Sequence, residues 1–262
     1  MNLTIIIPVF NSSKSLGKLT KKIFFYIKKK LNIKSFEIIF INDFSSDNSW
    51  HTIINLKKKY NFIKGINLSE NFGQHNAIMA GLNYAKGDIV LTMDDDFEHS
   101  PEFIHKFINE LKYSDVCYTY YLNRKHSFLK NNLSTINNIV SSLILDKPIN
   151  IYLSSYRAFK KKICKKIVKY KKNYVYLDYL ILKHCKKINM IQVEHGKRMF
   201  GKSNYTIKKL FKLWSAMVLS VELYPIKLNT IPNLILKFIL IFIFKIKFNN
   251  KHQFLIKEKT FN

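Results

Sequence analysis

Three aspartates in succession, Asp94, Asp95 and Asp96, close the apolar run GDIVLTM (Gly87 to Met93) and lead into FEHSPE. Adjacent carboxylates repel, and a solvated turn is the ordinary place for them. At the end of a buried strand they would instead stand where open α/β sheets bind ligands. Residues i and i+2 of an extended chain point the same way, so Asp94 and Asp96 are expected to hold one hard cation, with Asp95 turned elsewhere. Magnesium takes one or two carboxylates and fills its remaining positions with water and phosphate oxygens, so the expected site is a metal–diphosphate site. A second acid, Asp43 in INDFSSDNSW, also ends an apolar run. Helix capping explains Ser46 or Asp47. Asp43 precedes the cap and is placed to accept from a base imide or a ribose hydroxyl.

The elements that must position these acids follow from hydrophobic periodicity. LTIIIPV, FEIIFIND, FIKGINL and GDIVLTM are short apolar runs that alternate with helical patterns over Ser15 to Leu31, Ser49 to Tyr60 and Gln74 to Ala85. That alternation predicts a mostly parallel α/β sheet flanked by helices. Pro101 suits the first turn of the next helix with Ser100 as its cap, and SDVCYTYY resumes the sheet. The opening MNLTIIIPVF reads as a first strand, since it lacks a basic n-region and meets Pro8 early.

Composition bounds the function classes. With 262 residues and 47% hydrophobic content, a disordered basic tail is excluded as the main structure. Cys117, Cys164 and Cys185 form neither a CxxC pair nor a disulfide framework, and read as reduced, half-buried thiols in a cytosolic setting. The formal charge of +27 favours anionic partners. Only Arg124, Arg157 and Arg198 are arginine among 44 basic residues, which points to places needing a two-pronged donor for phosphate or carboxylate. A basic nucleic-acid or membrane-binding module without chemistry would explain the charge, but not acids at successive strand ends, so no nucleic-acid partner is expected.

The C-terminal part reads differently. From Thr206 to Leu223, Ile207, Leu210, Phe211, Trp214, Val218 and Val221 fall near one helical stripe beside Lys208, Lys209 and Lys212. A core helix or membrane-surface docking gives that pattern. Ile231 to Phe248 is apolar but includes Lys237, Lys245 and Lys247. It is marginal against the roughly 20 apolar residues of a spanning helix. The expected organisation is a catalytic domain over 1–205 and an amphipathic, membrane-associated segment over 206–262, peripheral or with a short anchor.

The ordered series IIIPVFN, INDFSSDNS, LSENFGQHNAIMAGLNYAKGDIVLTMDDD, FEHSPE, SSYRAF and KRMFGKSNYTIKKLFKLW resembles family 2 glycosyltransferases of the GT-A fold, over about residues 1 to 225. Within them it is most similar to the dolichol- and undecaprenyl-phosphate group. That resemblance implies a Rossmann-like GT-A domain that moves a sugar, with inversion, from a nucleotide-sugar donor to a polyprenyl phosphate at the cytoplasmic face of a membrane. It implies Pro8, Asn11, Asp43 and Asp94 at the nucleotide sugar, and Asp94, Asp96 and Glu98 around Mg²⁺ or Mn²⁺. Asp96 and Arg198 take catalytic roles, while Arg124, Arg157, Arg198 and Ser203 meet acceptor or donor phosphates. Asn42, Glu70 and His99-Ser100 depart from the usual pattern and bear on the identity of sugar and acceptor. A lipid phosphate is already ionised near neutral pH and needs no base. A sugar hydroxyl in an envelope polysaccharide, the alternative acceptor, would need one, and Asp178 or His195 is the candidate. Sugar, nucleotide and oligomeric state stay open.

Overall fold

The computed structural model describes residues 1–31, 33, 35–121, 137–143, 145–173, 175–194, 196 and 252–261. Arg124, His195, Arg198, Ser203 and the whole of 206–248 lie outside the described residues.

The four apolar runs form the parallel strands β1 (Asn2–Val9), β2 (Ser35–Asn42), β3 (Ile63–Leu68) and β4 (Ile89–Thr92). Their side chains are apolar at nearly every position because both faces of the sheet are covered. Ile5 and Ile7 of β1 pack on one face with Leu16, Leu19 and Ile23 of α1 (Ser13–Lys30) and Ile53 of α2 (Ser49–Lys59). Ile6 points the other way, into a second core with Ala77, Ile78 and Met79 of α3 (Gln74–Leu82). α3 is buried from Asn76 to Leu82, and that stretch therefore carries small or apolar side chains on nearly every face.

Beyond β4, a 3₁₀ turn (Pro101–Phe103) leads into α4 (Ile104–Glu110) and β5 (Val116–Tyr120). β6 (Arg157–Lys160), α5 (Lys161–Ile167), α6 (Leu177–His184) and β7 (Ile188–Gln192) follow. β6 runs antiparallel between β4 and β5, and with β8 (Ile256–Lys259) at the far edge the order is β7-β5-β6-β4-β1-β2-β3-β8. The sheet therefore grows from β1 in two directions, and its switch point lies between β1 and β4. The Met93 N–H donates to Ile6 O, the last link between those strands. Pro8, two residues on, points the same way past that link, so its missing N–H breaks no ladder bond.

Three local expectations change. The aspartate-bearing strand starts at Ile89 and ends at Thr92, shorter than Gly87 to Met93. Ser100 occupies the cap position before Pro101 without a side-chain cap bond; Lys22 Nζ donates to its hydroxyl and Tyr156 Oη to its carbonyl. The end of the segment assigned to the membrane belongs to the sheet. Ile256–Lys259 forms β8, antiparallel on β3.

The reason lies in QFLIKEKTF, where Phe254, Ile256 and Phe261 pack on the second core while lysines and Glu258 alternate with them. That is the pattern of a half-buried edge strand. Gly65 and Thr260 exchange hydrogen bonds, Ser69 N–H donates to Leu255 O, and Trp50 Nε1 donates to Glu258. No helix among the described residues is long and apolar enough to cross a membrane.

Truncation after residue 251 is therefore expected to unpair β3. At about 1 kcal/mol for each net hydrogen bond, the loss is about 3 kcal/mol from the bonds to Gly65 and Ser69. Urea unfolding of the truncated chain measures it; an unchanged midpoint would show that β8 contributes nothing to the domain.

Candidate functional site

The C-terminal ends of β1 to β4 carry four loops, and the sequence-predicted acids meet there. Asp43 follows β2, but its carboxylate points inward. Its two oxygens accept the backbone N–H groups of Phe72 and Gly73, at 2.8 and 2.9 Å, and Asn71 Nδ2 donates to its carbonyl. Burial holds its pKa above the usual carboxylate range, and the two amide bonds offset part of that rise. Asp43 therefore braces the loop before α3. Gly73, at φ +83°, adopts a backbone conformation that a side chain would strain, although nothing lies within 4 Å of where a Cβ would stand.

Asn11 joins the first two loops. Its Oδ1 accepts from Ser46 N–H at 2.8 Å, and its own N–H donates to Ser45 Oγ. Asp47 accepts from Ser13 N–H and from Ser49 N–H, at 3.0 and 2.9 Å. One carboxylate thus caps the N-termini of both α1 and α2, where helix dipoles favour an anion. Burial pulls its pKa up, but the Ser49 and Ser13 bonds outweigh that and hold it low. The expected cap is real and serves two helices.

The aspartate triplet lies past the end of β4, on a bend rather than in extended chain. Asp94 is held from both sides: Gln74 Nε2 donates to Oδ1 at 2.7 Å and Ser155 Oγ to Oδ2 at 2.9 Å. Its own N–H donates to Nδ1 of the buried His99, whose ring stacks on Tyr156. Asp95 does turn elsewhere, and it turns inward. The Ser12 hydroxyl bonds it, and Oδ2 is buried without a partner among the described residues. Burial, opposed by Ser12 and reinforced by Asp94 and Asp96, pushes its carboxyl up to about 7. Asp96 accepts the Glu98 N–H at 3.0 Å. Burial, with the charges of Asp94 and Glu98, raises its pKa too.

Asp94, Asp96 and Glu98 are thus close in chain, but no group of three or more His, Cys, Asp or Glu converges on a cation position among the described residues. The donor set still fits a hard divalent ion that takes one or two carboxylates. A carboxylate cluster whose charged form is disfavoured by burial and mutual repulsion, with one buried oxygen unmatched, is the environment that a cation relieves.

Backbone strain gathers at the same loops. Asn11, Phe44 and Phe97 have φ of 55°, 60° and 71°, in the left-handed region. Bulky residues there cost on the order of 1–2 kcal/mol each, and such outliers cluster at functional sites. Phe44 is also 55% exposed. Gly196 passes so near the loop that a Cβ would come 2.2 Å from Phe97 O. Its N–H donates to Glu98 O at 3.0 Å, which ties Gly196 to the aspartate loop.

Arg157 and Asp178 are brought together, in a different role from the one expected. Arg157 is 1% exposed and forms an ion pair with the buried Asp178. Its guanidinium lies over the Tyr118 ring, and Tyr118 Oη donates to Asp178 at 2.9 Å. Neither side chain is presented to solvent: the arginine is not displayed as a phosphate ligand, nor the aspartate as a base. Desolvation makes each charge dependent on the other. His75, on α3, accepts the Leu177 N–H through Nδ1 at 3.2 Å, and its ring packs on Tyr176. Burial, with Arg157 opposing Asp178, pushes its pKa down to about 4. Gln74, His75, His99 and Ser155 were missed as site residues. All four lie inside the quoted motifs LSENFGQHNAIMAGLNYAKGDIVLTMDDD, FEHSPE and SSYRAF, yet only the fold shows which groups their side chains meet.

Two outcomes follow. Asp178→Asn leaves the Arg157 charge buried without its counterion and should destabilise the fold by about 3–5 kcal/mol in urea, whereas Tyr118→Phe should cost about 1 kcal/mol. His75 has a lowered folded pKa, so the unfolded chain binds more protons between pH 6.5 and about 4. Its contribution is complete above that window and is lost as pH falls through it, by at most about 3 kcal/mol. His75→Gln should flatten the slope of stability against pH there; an unaltered slope would exclude His75 as its source.

Residues 4–168 match the family described as Glycosyl transferase family 2. The undecaprenyl-phosphate 4-deoxy-4-formamido-L-arabinose transferase of Photorhabdus laumondii is 28% identical over 230 residues, 87% of this chain and 70% of that protein. The protein of the same name from Yersinia pestis is 29% identical over 227 residues, 86% and 69% of the two chains. Among solved structures, glucosyl-3-phosphoglycerate synthase from Mycobacterium tuberculosis, crystallised with Mn²⁺ and UDP, superposes with a TM-score of 0.60 at 13% identity, covering 84% of this chain and 79% of the other. S. aureus TarS gives 0.53 at 18% identity, covering 85% and 67%. These likenesses place the mostly parallel α/β sheet with GT-A glycosyltransferases, and a match across more than half of the chain makes the protein a member of glycosyl transferase family 2.

Proposed function

We propose that the protein transfers a sugar from a nucleotide-sugar donor to a polyprenyl phosphate, with inversion at the anomeric carbon, at the cytoplasmic face of a membrane. The observation that favours a phosphate acceptor is that Asp178, one of the two candidate bases, is buried in an ion pair with Arg157; the other, His195, lies outside the described residues. Asp43 is likewise committed to the Phe72 and Gly73 amides. A sugar hydroxyl needs a base to take its proton. A phosphate monoester, with a second pKa of roughly 6, arrives already ionised. The names of the Photorhabdus and Yersinia relatives, undecaprenyl-phosphate transferases, support the same acceptor class.

The donor is assigned to the switch-point cleft. Pro8 leaves the edge between β1 and β4 open, Asn11 locks the first two loops together, and Phe44 offers an exposed ring beside them. Asp94 and Asp96 would hold a Mg²⁺ or Mn²⁺ ion, with Glu98 behind Asp96. Bound there, the metal would stabilise the charge growing on a departing nucleoside diphosphate. Gln74, Ser155 and the His99–Tyr156 stack hold Asp94 in one orientation, so little rearrangement is needed as the donor binds. Arg198 and Ser203, beyond Gly196, are assigned to the phosphates, and Arg124 to the acceptor. Residues 206–248 are assigned to membrane association.

Asp96→Asn should reduce transfer about 100- to 1,000-fold, the usual effect of removing one strong transition-state stabiliser, without unfolding the protein. Chelator should abolish the wild-type rate, and added Mg²⁺ or Mn²⁺ should restore it. Full turnover in excess chelator would remove the metal from the reading. Mass spectrometry of lipid-linked products from a panel of nucleotide sugars tests the acceptor, and sugar appearing only on glycan hydroxyls would overturn it.

A further inference from the structure

α1 covers one face of the sheet with Leu16, Leu19, Thr20, Ile23 and Ile27, all buried. Its other face is fully exposed and of one charge. Lys14, Lys18, Lys21, Phe25, Lys28 and Lys29 are exposed. At 100° per residue they fall within an arc of about 100°. The helix contains no acidic residue over its 18 positions. Glu102 pairs at 3.6 Å with Lys22, at the margin of the strip. In the middle of the lysines Phe25 is 54% exposed, with Lys29 Nζ 4.9 Å above its ring. α2 packs alongside and, like α1, ends in three lysines.

We infer that the outer face of α1 is a docking surface for an anionic lipid bilayer, separate from the C-terminal segment. A row of point charges attracts acidic headgroups, and an apolar ring among them enters the headgroup boundary. A surface built for nucleic-acid phosphates would gain from two-pronged arginines, and α1 has none. The strip begins beside the site. Ser13, the first residue of α1, donates to Asp47 of the loop that Asn11 braces. A bilayer lying along α1 therefore meets the rim of the cleft, which is where a lipid-borne acceptor must arrive. The surface itself is independent of acceptor identity, because it is read on vesicles that contain no acceptor.

Two variants of the full chain test it. Phe25→Trp places an indole in the strip, and vesicles of brominated phosphatidylglycerol should quench its added emission, whereas brominated phosphatidylcholine alone should quench it far less. Lys14→Gln, Lys21→Gln, Lys28→Gln and Lys29→Gln combined keep helix propensity and should lower the affinity for phosphatidylglycerol vesicles about tenfold or more at low salt, with the difference vanishing at high salt. Added emission that stays unquenched while the protein floats with the vesicles would overturn the inference. So would unchanged vesicle affinity of the combined variant, whether or not its affinity for a double-stranded RNA probe had fallen. Transfer to a short-chain acceptor in detergent should be unaltered in both variants. Failure of that assay in the parent protein would count against the proposed reaction and leave the vesicle result intact.

Discussion

Repulsion among Asp94, Asp95 and Asp96 is the constraint around which the C-terminal edge of the parallel strands is arranged. Side by side at the end of a buried strand, the three cannot all be hydrated, and the structure distributes them instead. Asp94 is taken by Gln74 from α3 and Ser155 from the segment before β6, Asp95 goes inward to Ser12 at the start of α1, and Asp96 turns back on the Glu98 amide. Each brace comes from a different part of the chain. The acids therefore hold these orientations only after β1, β4 and β6 have paired and α1 and α3 have packed on opposite faces. A divalent ion suits what remains, because the ionised cluster carries more negative charge than its surroundings offset.

The antiparallel half of the sheet is organised around a second electrostatic unit. Arg157 and Asp178 are removed from water together, with Tyr118 as a third partner. Such a pair adds little net stability compared with apolar residues of the same size. What it does fix is where the start of α6 meets β6, since any shift would strand a charge. Ser155, two residues before Arg157, carries that register to Asp94, so the core pair and Asp94 are set by one short segment.

The layout of charge explains how a chain of +27 can hold an acidic centre. Asp43, Asp47, Asp94, Asp95, Asp96 and Glu98 all follow the C-terminal ends of parallel strands. The lysine runs close α1 and α2 at the opposite ends of those βα units. Parallel topology separates the signs without any long-range design, and helix dipoles favour the same arrangement, with Asp47 at two N-termini and lysines at the C-termini.

By itself the sequence determined the parallel βαβ order, because strands buried on both faces must be apolar at nearly every position. It also marked Asp43, Asp94, Asp95 and Asp96 as strand-end acids and Asp47 as a cap, since these depend on local position. The ordered motifs around them were enough to indicate the glycosyltransferase family. What it could not determine is where a side chain points once its loop bends. Extended-chain logic placed Asp95 away from Asp94 and Asp96, and only the bend after Thr92 sends it into the interior. Arg157 and Asp178 each looked chemically available in one dimension; 21 residues apart in sequence, they neutralise each other only because α6 packs behind β6. The tail residues 256–259 looked like the end of a membrane segment until β3 offered an unpaired edge. In each case the deciding interaction is long-range, and burial fixes its outcome, because a desolvated charge or an unpaired strand edge must find its partner wherever the fold brings one.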